Sequence, residues 1–142
     1  MSVLDLKQAM AIIEGAMRKA EELALKPLGV AIVDAGGHLV AYQRQDGASI
    51  ARYQIASGKA QTALALGSSS RGVADKPEAR PAFYTALGEI APMALVPAAG
   101  GVLICNAEDI VLGAIGVSGD TSDNDELCAA AGIAAVGLTT RG

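Results

Sequence analysis

Apolar positions near the start of the chain repeat at helical spacing. Leu6, Ala9, Met10, Ile13, Met17 and Ala20 recur at steps of three and four. Asp5 with Gln8 three residues later has the form of a capping box, and Pro27 and Gly29 close the segment. The period then shortens. Val30, Ile32 and Val33 lead into Asp34-Ala35-Gly36-Gly37, and His38-Leu39-Val40-Ala41-Tyr42 leads out. Two β-type runs around a Gly-Gly turn predict a hairpin. A second helix is predicted over 49–66, stopped by Gly67.

Residues 68–100 sustain no period and hold every proline except Pro27. They predict a flap or long loop with short helical turns, and 93–96 reads as a short strand. Loops of that length inside a compact domain are often functional. A second hairpin is predicted over 101–106 and 110–118, turning at Ala107-Glu108-Asp109. The last helix starts near Asp123, where Asp123 and Glu126 repeat the capping-box pattern, and 129–136 gives it an Ala-rich face. No repeat or linker interrupts 1–142, so one domain is expected. The order helix, hairpin, helix, irregular segment, hairpin, helix describes an α+β fold, an antiparallel sheet with helices packed on it.

Composition narrows the function classes. Of 142 residues, 51% are hydrophobic, which argues against disorder. The net charge is −4 and no Lys/Arg run stands out, so nucleic acid is an unpromising partner. No apolar run is long enough to span a membrane and no leader pattern opens the chain, so a cytoplasmic location is expected. Cys105 and Cys128 do not make a disulfide framework and read as free thiols. P-loop, nucleophile-elbow, CxxC and HExxH patterns are all absent.

A few residue types could carry chemistry. His38 is the one histidine. It suits a haem-iron ligand or a general acid/base, and equally a local hydrogen bond beside its turn. Asp34 lies just before the same turn. Arg44 and Asp46 flank the entry to the second helix. Arg44 fits a ligand carboxylate, unless Asp46 pairs with it internally. Lys59 and Thr62 share a helix face in an otherwise apolar stretch. Lys59 suits an anion clamp or a base, against the alternative of a snorkelling surface lysine. Glu126 could act as a base from the last helix. Gly100 and Gly101 could offer backbone donors, or simply a bend into a strand.

Several of these stretches resemble the GlcG/HbpS-like family of haem-degrading or haem-binding domains. They are Val33-Asp34-Ala35-Gly36-Gly37-His38-Leu39-Val40, Arg44-x-Asp46-Gly47-Ala48, Lys59-Ala60-x-Thr62-Ala63, Gly100-Gly101-Val102, Leu112-Gly113-Ala114-Ile115-Gly116-Val117-Ser118-Gly119 and Asp125-Glu126. The resemblance implies a profilin-like sandwich, a five-stranded antiparallel sheet flanked by helices, assembling as a homo-oligomer. It also relates the chain to the C-terminal domain of PduO-like proteins. Residues 67–70 and 72–96 depart from the family's pattern.

Two functions follow as expectations. The first is a small-ligand-binding protein, with haem or a related tetrapyrrole as ligand, His38 on the iron, and Arg44, Arg52 and Lys59 for the propionates. The second is an enzyme acting on a small carboxylate metabolite, with His38, Lys59 or Glu126 moving a proton. The four aromatic residues, Tyr42, Tyr53, Phe83 and Tyr84, are few for a ring pocket. The expected binding set is Asp34, His38, Arg44, Asp46, Lys59, Thr62, Gly100 and Gly101.

Overall fold

The computed structural model describes residues 3–75, 81–90 and 95–141. Helix α1 (Leu6–Glu22) starts at the expected capping box. Asp5 accepts from the Gln8 amide, and the Gln8 side chain accepts from the Asp5 amide. Strands β1 (Gly29–Asp34) and β2 (Leu39–Arg44) form the first hairpin. Helix α2 runs Arg52–Leu66 and ends on Gly67 in the left-handed conformation, at φ 70°. It begins three residues later than expected. Ser49 instead heads a turn, its carbonyl accepting from the Arg52 amide and its hydroxyl from Arg52 Nε.

The irregular segment contains α3 (Arg71–Asp75) and a fuller helix, α4 (Pro81–Ile90). The strand expected at 93–96 is not formed where the structure describes it. Leu95 and Val96 lie outside the sheet, and the Val96 amide donates to Thr62 Oγ1 rather than to a neighbouring strand. Met93 and Ala94 lie outside the described residues. Strands β3 (Gly101–Cys105) and β4 (Val111–Ser118) form the second hairpin. Helix α5 runs Ser122–Ala135. Its cap is Thr121, whose hydroxyl accepts from the Asn124 amide, so the Asp123–Glu126 capping box is not used. The fifth strand is β5 (Thr139–Arg141), which the sequence pattern did not reveal because it is three residues long and mostly exposed.

The sheet is wholly antiparallel, in the order β2-β1-β4-β3-β5. Alternation along the strands separates two apolar layers. Val30, Ile32, Ile104, Ile115 and Val117 pack under α1 and α5. Val33, Leu103, Cys105 and Ala114 pack under α2, against Ala60 and Ala63. This is the expected α+β sandwich.

The α2 layer is thin because its neighbours lack side chains. A Cβ on Gly116 would drive into the Ala56 carbonyl oxygen, and one on Gly101 into the Lys59 carbonyl oxygen. The helix backbone therefore rests directly on β3 and β4. Both groups that must yield are backbone, so relaxation is restricted. We predict that Gly116→Ala destabilises by about 3 kcal/mol, the upper end of the usual overpacking cost. Urea unfolding measures it; an unchanged midpoint would contradict the close docking.

Candidate functional site

The structure distributes the expected site residues over four places. The first is the interior. Lys59 on α2 is 3% exposed and its Nζ donates to Asp125 Oδ2 and to the Val117 carbonyl, both at 2.9 Å. Asp125 on α5 is 2% exposed, and its other oxygen accepts from the Asp120 amide at 3.1 Å. The Lys59 side chain therefore does not snorkel. Gly100, at φ 127°, lies against it: a Cβ there would sit 2.9 Å from Nζ. Gly101 sends its amide to Ser70 Oγ. Thr62 is fully buried, donating to the Gly58 carbonyl and accepting from the Val96 amide. These side chains close the α2 layer, and their hydrogen bonds are internal.

The second place is the β1–β2 turn. Asp34 Oδ1 accepts from the Gly36 and His38 amides, at 2.9 and 3.0 Å, and lies 3.3 Å from His38 Nδ1. The His38 ring is otherwise 82% exposed. The buried Gln61 side chain donates to the Gly37 carbonyl and anchors the turn from below. Sequence reasoning passed over Gln61, which looks like any polar helix residue.

The third place is a cleft of about 500 Å³ lined by Arg44, Asp46, Gln43, Gln45, Met17, Leu25 and Pro27. Arg44 and Asp46 come together here, but no ion pair joins them among the described residues. The Gln45 side chain accepts from the Leu28 amide at 2.7 Å and fixes the cleft wall. His38 precedes β2 and Arg44 ends it. Six residue steps separate them, roughly 20 Å at about 3.3 Å per residue.

The fourth place is a cleft of about 450 Å³ that includes Ser69, Arg71, Val102, Glu126, Ala130 and Arg141. Glu126 accepts from Ser69 Oγ at 3.0 Å and from Arg71 Nε, and Arg71 also binds Asp123. Arg141 pairs with Asp109. The charges here are matched within the chain, and these pairs hold Arg71, at the head of α3, against α5.

Tyr42 and Arg52 complete the polar features on the α2 side. The Tyr42 hydroxyl is buried and has no partner among the described residues. Burial raises its pKa, while Arg44 and Arg52 both pull it down. Burial also raises the thiols of Cys105 and Cys128, the latter to about 11, so neither offers a ready thiolate. Among the described residues no cluster of His, Cys, Asp or Glu could hold a metal, and no helix is long and apolar enough to cross a membrane.

Relatives with this fold are known. The profile of the haem degrading protein HbpS-like family matches residues 4–134. The chain belongs to the HbpS-like family. It is similar to the structure of a double mutant of Streptomyces reticuli HbpS, with 32% identity, a TM-score of 0.78, and coverage of 93% of this chain and 86% of that one. It shares its fold with PduOC, solved in complex with haem, at 24% identity, a TM-score of 0.81 and 99% coverage of both chains. It also shares it with the Klebsiella pneumoniae protein ORFY, at 24% identity, a TM-score of 0.79, and coverage of 94% and 90%. No curated protein matches the chain.

The buried Lys59–Asp125 pair generates a clear expectation. Removing one partner leaves the other charged and buried, which typically costs about 3–5 kcal/mol. Lys59→Met and Asp125→Leu should each lose about that much in urea unfolding, and the double variant should recover most of it. Additive losses would contradict the pairing.

Proposed function

We propose that this HbpS-like chain is a small-ligand-binding protein whose ligand is haem or a related tetrapyrrole, held in the cleft beside Arg44. One observation carries the reading. Arg44 lies on a cleft of about 500 Å³ that Met17, Leu25 and Pro27 also line, and it pairs with no carboxylate among the described residues. A carboxylate-bearing ring asks for that combination: apolar contact along its edge and a guanidinium fork for its acid. The haem complex of PduOC supports the choice of ligand.

The residues fit haem in size and charge. Arg44 would take a propionate, Gln43 would offer a further amide, and the Met17 thioether is the soft donor type that haem iron accepts. Bound haem would supply a redox-active iron; the chain's part is to hold and orient it. His38 stands at the far end of β2. It would meet iron only in a second arrangement, at the β1–β2 turn. Lys59 is engaged by Asp125 and has no free part in this site.

Haemin titration of the purified protein tests the proposal. A saturable Soret shift is expected. Arg44→Gln should weaken it about ten-fold, the effect of losing one charge-assisted hydrogen bond, and His38→Ala should leave it in place. No saturable shift, or a shift lost with His38→Ala and kept with Arg44→Gln, would overturn the cleft assignment.

A further inference from the structure

Strand pairing puts Arg44, Gly29 and Ser118 in one row across the sheet, with Tyr42, Ala31 and Gly116 in the next. Both rows face α2, whose Ala56 lies against Gly116. Gly29 marks where the two elements meet. A Cβ there would sit 2.6 Å from Tyr42 Oη and 2.9 Å from Arg52 Cβ, so the phenol and the arginine converge over a bare Cα. From that point Arg52 extends toward β4. Its Nη1 donates to Ser118 Oγ at 2.7 Å and its Nε to Ser49 Oγ at 3.2 Å.

The groups gathered here bring a guanidinium and two hydroxyls together, and Arg52 has only the neutral oxygens of Ser49 and Ser118 as partners among the described residues. No carboxylate among the described residues pairs with Arg52. Ser118 is 1% exposed, and its oxygen already accepts from Arg52. The buried Tyr42 hydroxyl, by contrast, has no hydrogen-bond partner among the described residues. Buried hydroxyls are rarely left so, and an unmade hydrogen bond costs about 1–3 kcal/mol. Arg44 adds a second positive charge to the row, and the acid closest to it in sequence, Asp46, is exposed and pairs with neither arginine. The Tyr53 ring stands edge-on to Tyr42, 5.0 Å away, and gives the spot an apolar flank.

We propose that the chain has a second, smaller site here, in which an oxyanion accepts from the Arg52 guanidinium and the Ser118 and Tyr42 hydroxyls. The group gives the unpaired Tyr42 hydroxyl an acceptor and gives Arg52, whose described partners are neutral oxygens, a charged one. The proposal does not rest on the haem reading, since the Arg44 cleft is lined by different residues apart from Arg44 itself.

Side-chain NMR of the Arg52 Nε–Hε group tests it, with propionate and inorganic phosphate as probes, each compared with chloride at fixed ionic strength. A saturable shift with either probe is expected; propionate alone identifies a carboxylate site, and phosphate a more general oxyanion site. Tyr42→Phe should weaken binding about three- to ten-fold, the effect of one hydrogen bond. The same variant should keep or raise the unfolding midpoint in chloride, because it removes an unpaired buried hydroxyl. Arg18→Gln on α1 should leave the response intact. No saturable shift with either probe would overturn the proposal. So would a Tyr42→Phe variant that loses stability while binding the anion normally, because the phenol would then be structural.

Discussion

One buried contact ties the two faces of this fold together. Lys59 belongs to α2 on one side of the sheet, and Asp125 to α5 on the other. Their side chains meet at the end of β4 and just before β3, beside the Val117 carbonyl and Gly100. Two charges removed from water are tolerable only in close, hydrogen-bonded geometry. That demand fixes how far α2 slides along the sheet and where α5 begins. It also explains the glycines nearby. Gly100 and Gly101 leave room for the lysine and for the α2 backbone, and Gly116 repeats the arrangement one strand over. The motif that carries the family resemblance around Lys59 is thus first a packing device.

Much of the architecture is legible in the residue pattern. The period of α1, the Gly-Gly turn and the apolar runs of β3 and β4 are local signals, and they locate their elements closely. The differences arise where tertiary contacts decide. Ser49 is claimed by Arg52, which shortens α2. The Val96 amide is claimed by Thr62, and no strand forms at Leu95 and Val96. Thr121 caps α5 because Asp125 is drawn inward and Glu126 is held by Ser69 and Arg71. The β5 strand has too few residues to show a period.

The chemistry was less legible, for the same reason. Sequence spacing says which residues share a helix face, but not which face is sealed. Lys59, Thr62, Gly100 and Gly101 form one buried group. His38 and Asp34 form another at a turn, and Arg44 and Asp46 a third at the rim. The polar core partners Ser70 and Gln61 escaped notice because isolated serines and glutamines carry no pattern. The proposed ligand is placed at the rim. There, among the described residues, Arg44 and Arg52 lack the acids that neutralise Arg71 and Arg141 elsewhere. In a chain of net charge −4, two arginines with no carboxylate partner among the described residues, at one end of the sheet, are the feature least explained by folding alone.

The central claim is that the ligand enters at this rim. Backbone NMR shift mapping with diamagnetic zinc protoporphyrin tests it directly. The account predicts the largest perturbations at Met17, Leu25 and Gln43 through Asp46, with the His38 turn little changed. Perturbations centred on Ser69, Arg71 and Glu126, or on His38, would contradict it.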